Sequence, residues 1–497
     1  VFKWIFNSQL CFRYGSIFCI FITAHPGLFS QQFRDVPYFS NDAPAIRQKL
    51  AEEADASIRA RFQVPGGFEK DAKKAYLAER DHRLEKTTEE IRQRAVVDDV
   101  LWPFLKGILK RITAVNPEAT RVKVILVANP TANAYSIGEG TVVVYTGLLA
   151  GLENEDQLAF VLCHEIAHYL LEHPTKGLER DILSTHNKAF KEKIKAANSE
   201  EFNKNEHLEN IIKTVFFRSR YHSRDYERQA DSLAYRLFLK TAWSAGQVSR
   251  MMEVFEFIDE PLRDSTLNLS AQFGCDQYPF QKQWLNKGAG SVWSDAKSIR
   301  KAAEKSVQDS LSTHPDWKNR LAWILEMAGS QSAGAPTSNV ASPSYATIRF
   351  LSVLECINAW YHRGRYDRAL FYASLYQHTY KTCGYLHDIQ SLSLYELYAH
   401  ARDHKLATVL TQPSPDYPEN LNALLSFLNS LRLKDLLGLQ KCSVLATSAP
   451  DSEYGLLAAY RLADSEADQP GMLRFKTIYL RKFPNGRFAD IFKPESK

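Results

Sequence analysis

Apolar positions recur with helical spacing over most of the chain and change to a shorter period in one place. From about residue 40 to 112 the pattern predicts helices with a highly charged outer face, on which Glu79/Arg83 and Glu90/Arg94 sit at i,i+4. Residues 122–127 and 141–145 are runs of β-branched and apolar side chains, and they predict two strands. The loop between them contains Asn129-Pro130 and Gly138-Glu139-Gly140. Helical patterns resume at Gln157 and, with a polar lysine-rich stretch from about 176 to 213, continue to Met327. Residues 329–344 are almost entirely small residues, Pro or Ser and predict a flexible linker; from Tyr345 onward the pattern is helical again. The expected architecture is mainly α with a small β-sheet: a domain over 31–328, the linker over 329–344, and a helical domain over 345–497.

Residues 1–30 read differently. Lys3 and Arg13 precede an apolar run at 17–24, which His25-Pro26-Gly27 breaks, and this resembles an export signal. No later stretch reaches the roughly 18 uninterrupted apolar residues of a membrane span. Export, to a periplasmic or envelope-associated compartment, is the expectation. Seven cysteines are scattered without a C-x-x-C pair, so neither a zinc knuckle nor a dense disulfide framework is indicated. Cys163, inside an apolar helix, is expected to be an unpaired thiol, and Cys356 with Cys383 is the one bridge considered. The net charge of +5, from 62 basic and 57 acidic residues, is small for 497 residues. No basic stripe interleaved with aromatics is present to follow a phosphate backbone, so nucleic acid is not an expected partner.

The chemistry concentrates at His164-Glu165-Ile166-Ala167-His168, an H-E-x-x-H inside a helix that Asn154 caps and Pro174 ends. Its surroundings are apolar on every face, so the helix should be buried and its polar groups need partners. Imidazoles at i and i+4 project from one helix face, as two ligands of a tetrahedral zinc do, with Glu165 beside the metal-bound water. The alternative is a pair of satisfied core histidines. A third ligand is required, and Leu171 and Pro174 stand where the extended G-x-x-H continuation would be. Glu227, in Glu227-Arg228-Gln229-Ala230-Asp231, could complete a His2Glu set. Asp231, one turn on, could accept the free N–H of a ligand histidine. Against that, Arg224, Asp225, Arg228 and Arg236 would make the same helix an ordinary solvated face, and its direction is open.

Taken in order, Asn133-Ala134-Tyr135, Thr146-Gly147-Leu148-Leu149, Glu155-Asp156-Gln157-Leu158-Ala159, the H-E-x-x-H, the E-x-x-A-D and Thr313-His314-Pro315 with Arg320 resemble a zinc metallopeptidase family. It is the family of the CAAX prenyl proteases, the HtpX-type proteases and the periplasmic beta-barrel-assembly-enhancing protease. The resemblance implies a gluzincin-type domain holding one Zn2+ per chain on His164, His168 and Glu227, with Asp231 behind a ligand and Glu165 as catalytic base. The signal-like start and absence of later spans are most similar to the periplasmic branch. So is a tetratricopeptide-like tail, suggested by Gly364-Arg365-Tyr366-Asp367-Arg368-Ala369 and by the close at Tyr479 to Asn485, with an ordinary helical bundle as the alternative.

The function implied is a zinc-dependent endopeptidase acting on envelope or secreted polypeptides, among them unfolded or outer-membrane assembly clients, with peripheral membrane association. The alternative is a chaperone or scaffold with a latent metallopeptidase domain. His314 is a second catalytic candidate: it could donate to an oxyanion, occupy the open metal position and hold the enzyme inactive, or be a plain loop histidine. Arg224 and Arg320 are expected to pair with nearby acids, and His25, His82, His173 and His222 to be surface or packing residues. An extended substrate is expected along the edge of the 141–145 strand.

Overall fold

The computed structural model describes residues 43–199, 223–258, 265–285, 317–328, 343–380, 383–445 and 450–493. The signal-like run at 1–30, His25, His222, His314 and residues 329–342 of the linker stretch lie outside the described residues. The described residues group into two units, one of 43–258 with 317–360 and the other of 265–285 with 361–493. The division thus differs from a cut at 329–344, for identifiable reasons. Tyr345 donates its hydroxyl to the Leu149 carbonyl at 3.2 Å, and Arg349 Nε donates to the Ala150 carbonyl at 3.0 Å, so this helix start belongs to the first unit. Residues 265–285 belong to the second, through the Cys275–Cys442 disulfide and the Ser430 hydroxyl on the Trp284 carbonyl.

In the first unit, Pro44–Arg61 and Lys70–Arg94 are helices that pack on each other, broken apart by Pro65-Gly66-Gly67. The first turns a stripe of Ala51, Ala54 and Ile58 inward. A third helix, Leu101–Val115, leads to a three-stranded sheet of β1 (Lys123–Val127), β2 (Ala134–Ser136) and β3 (Thr141–Tyr145). The strand order is β1-β3-β2, with β1 parallel and β2 antiparallel to β3. Ile125, Val127 and Val143 pack with Ala51, Ala54 and Ile91 of the first two helices. By alternation, Val124, Leu126, Val142 and Val144 present the other face.

β3 is therefore the central strand, which corrects the expectation that a substrate runs along its edge. Both of its sides are already hydrogen-bonded, and Val143 is fully buried. The outer side of β1 is partly covered, where Val96 N–H donates to the Leu126 carbonyl and Ala128 N–H to the Arg94 carbonyl, both at 2.8 Å. This leaves the outer side of β2.

The H-E-x-x-H lies on the helix Glu155–Leu170. Asn154 caps it, its Oδ1 accepting the Gln157 N–H at 3.0 Å, and every residue from Gln157 to His168 is buried. Glu172, in the left-handed region at φ 61°, turns the chain, and Pro174 opens the next helix, His173–His186. The turn of the β2–β3 hairpin fits against that opening. Gly138 has φ 106°, and a Cβ there would meet the Pro174 side chain at 2.8 Å.

The described residues of the second unit form helices joined by irregular segments, with one isolated β-bridge between Cys275 and Tyr278. Gly384–Arg402 packs against Tyr366–Thr379, Leu433–Leu445 and Glu453–Ser465. Cys356 and Cys383 are not bridged, contrary to the pairing considered from sequence. Cys356 places its sulfur 3.6 Å from the Thr146 hydroxyl in the first unit, while Cys383 is buried in the second. Cys163 is a buried free thiol. Among the described residues no helix is long and apolar enough to cross a membrane.

Candidate active site

The second ligand-bearing helix spans 223–239. Its open direction is resolved: Glu227, Ala230, Asp231 and Ala234 are buried at i, i+3, i+4 and i+7, whereas Arg224, Asp225, Arg228 and Arg236 are exposed. The sequence's two readings of this helix are its two faces. Glu227 thus meets the histidines of the H-E-x-x-H helix. His164 Nε2 and His168 Nε2 are 3.0 Å apart, and each lies 3.4 Å from a different oxygen of Glu227.

These separations test whether the group fits a metal. Atoms bound at ~2.0–2.1 Å around a tetrahedral zinc lie ~3.3 Å from one another. The three donors are spaced accordingly, all within 4.8 Å and buried. The donor set, two imidazoles and one carboxylate, is one that zinc takes in open sites. Burial and the Arg320 cation both oppose protonation of His164, yet its bonds to Asp231 and Glu227 raise it to about 9. Burial lowers His168.

Asp231, fully buried, accepts from His164 Nδ1 at 2.9 Å. With its N–H directed there, His164 keeps a lone pair on Nε2 for the donor cluster. Arg320 pairs with an acid, as the sequence suggested: Nε and Nη2 form a two-pronged bond to Asp231 at 2.9 and 2.7 Å. Burial alone would raise the Asp231 carboxyl, but Arg320 and His164 hold it down at about 2. Arg320 also approaches Glu227 at 3.7 Å.

Glu165 points toward the sheet, and its Oε2 accepts the Ser136 N–H of β2 at 2.8 Å. The carboxylate of this residue, next to His164 in the chain, is thus anchored to β2. His173, read from sequence as a surface or packing residue, is 5% exposed and lies with its Nδ1 3.0 Å from His168 Nδ1. Periodicity gave no sign of it, because the left-handed turn at Glu172 separates the two helices. The one sequence signal is a histidine directly before the helix-opening Pro174.

Residues 106–328 match the Peptidase family M48 profile. Among curated proteins, an 80-residue stretch is 34% identical to the cattle (Bos taurus) protein "Metalloendopeptidase OMA1, mitochondrial", covering 15% of this chain and 15% of that one. A 76-residue stretch is 37% identical to the Schizosaccharomyces pombe "Mitochondrial metalloendopeptidase OMA1", covering 15% of this chain and 23% of that one. A third, of 85 residues, is 32% identical to the Yersinia pestis "Beta-barrel assembly-enhancing protease", covering 17% and 18%. The chain spans less than a quarter of the length of each of these relatives. The H-E-x-x-H helix and Glu227 both lie inside the matched span, so the residues that build this site are those over which the chain is similar to Peptidase family M48.

Proposed function

We propose that the chain is a zinc-dependent endopeptidase with one Zn2+ held by His164, His168 and Glu227. The observation that carries this reading is the convergence of these three buried donors at tetrahedral spacing, with Glu165, next to His164 in the chain, anchored to β2. Zinc, when bound, acts as a Lewis acid toward water and a peptide carbonyl. Glu165 takes the proton of the attacking water and passes it to the amine that leaves. The Ser136 N–H holds Glu165 in place for both transfers. Asp231, backed by Arg320, keeps the His164 ring in its ligand tautomer.

The substrate is an extended polypeptide lying along the outer side of β2. Tyr145 N–H donates to the Asn133 carbonyl and Ile137 N–H to the Thr141 carbonyl, so alternation turns the backbone of Ala134 and Ser136 away from β3, where the Ser136 N–H is taken by Glu165 and the Ala134 N–H and the two carbonyls face outward. A peptide hydrogen-bonded there would pass beside Glu165. The setting is an exported, oxidising compartment, which the Cys275–Cys442 disulfide supports. The clients are envelope proteins, including partly assembled outer-membrane ones, in keeping with the name of the Yersinia pestis relative.

The test combines metal analysis and hydrolysis on the full chain. Wild type should carry about one zinc and cleave an unfolded protein such as casein. Glu227→Ala should lose the metal. Glu165→Gln should keep the metal while its rate falls about 10²–10⁴-fold. Wild-type chain that holds zinc without cleaving any polypeptide would favour the scaffold reading, and chain without zinc after supplementation would refute the site.

A further inference from the structure

His168 and His173 meet Nδ1 to Nδ1 at 3.0 Å. Two ring nitrogens so close share one hydrogen, so one ring donates and the other offers a lone pair. His168 turns its Nε2 toward His164 and Glu227, where a metal ligand needs a lone pair. Its hydrogen is then on Nδ1, and His173 Nδ1 is the acceptor. That places the His173 hydrogen on Nε2, which faces Gln229 Oε1 at 3.5 Å. The Gln229 amide is itself oriented, because its Nε2 donates to Asp225 Oδ2 at 2.6 Å and leaves Oε1 for the imidazole. Tyr226 stacks on the His173 ring, centroids 4.2 Å apart and planes 6° from parallel. Every hydrogen in this series runs in one compatible direction.

On the reading that His164, His168 and Glu227 bind the metal, we infer that His173 is a positioning residue: a neutral imidazole that accepts the His168 N–H and so fixes the tautomer and ring plane of that ligand. His164 is served by a carboxylate whose charge Arg320 balances; His173 serves His168 without adding charge. Asp225, Tyr226 and Gln229, which hold His173, lie on the helix that supplies Glu227. Seating that one helix therefore orients two ligands, Glu227 directly and His168 through His173.

The experiment is a zinc titration of the full-length, metal-stripped chain against a competing chelator, for wild type, His173→Phe, His173→Asn and Glu227→Ala, with circular dichroism of each metal-free protein. Phenylalanine keeps a ring on Tyr226 but has no acceptor; asparagine keeps an acceptor near the Nδ1 position but has no ring. His173→Phe is expected to weaken zinc binding about 10–100-fold, with His173→Asn restoring most of the loss. If His173→Phe binds as wild type does, or if His173→Asn falls as far as His173→Phe, the positioning role is wrong and the residue only packs. Should His173→Phe fail to fold, 15N-histidine spectra of the zinc-loaded wild type decide. A His173 ring protonated on Nε2 alone supports the inference, and hydrogen on Nδ1 overturns it. Failure of the metal site itself looks different: Glu227→Ala would then bind zinc as tightly as wild type, or wild type would not bind it.

Discussion

Arg320 is a fully charged group 3.7 Å from a proposed metal ligand, an arrangement that would repel a cation if it stood alone. Asp231 cancels it. The two-pronged bond removes both charges from consideration while leaving Asp231 able to accept from His164. Such a pair is costly to break because the survivor stays buried without its counter-charge. Arg320→Leu should therefore lower unfolding stability by about 3–5 kcal/mol in urea titration. Replacing Arg320 and Asp231 together by leucine should recover much of that, and equal losses in the single and double variants would show that the pair is not the cause. The spacing of His164, Glu165 and His168 was legible as chemistry because a helix fixes i and i+4 geometry locally. His173 was not legible, since its partner is reached around a left-handed turn and its support comes from a helix distant in sequence.

Elements were legible where period and cap agreed. Asn154 starts the H-E-x-x-H helix as the sequence suggests, whereas the helix ends at Leu170, the left-handed Glu172 turns the chain, and Pro174, read as its end, opens the next helix. Asn154→Ala should cost about 1 kcal/mol for the lost cap, with a further penalty because Asn154 Nδ2 also donates to Gln247 Oε1 at 2.8 Å. A shift in denaturation midpoint at unchanged slope would register it. Strand order was not legible, because two apolar runs do not say which of them a third, three-residue strand will flank. With β2 as the outer strand, Ala134→Pro removes one outward N–H without touching the β3 ladder. It should raise KM for a polypeptide about five- to tenfold, the loss of one hydrogen bond, at unchanged zinc content. An unaltered KM would place the substrate elsewhere.

For the whole molecule, the two units should respond to different removals. Chelation should lower the thermal transition of the metallopeptidase unit by the binding free energy of zinc, about 4 kcal/mol at a thousandfold excess over Kd, and zinc readdition should restore it. Reduction of Cys275–Cys442 should instead destabilise the helical unit by about 2–5 kcal/mol and leave the zinc content as it was. Scanning calorimetry with each agent separates them, and one transition shifting equally under both would argue that the units unfold as one. The sequence by itself determined the mainly helical class, the two-strand signal, the H-E-x-x-H and the two faces of the Glu227 helix, because each depends on spacing within a single element. Only the tertiary structure decided that Glu227 turns inward to the histidines, that β3 is central, that Cys275 rather than Cys356 is bridged, and that His173 stands behind His168. Those are relations between segments far apart in the chain, and what selects them is the burial of one apolar stripe against another rather than any local pattern.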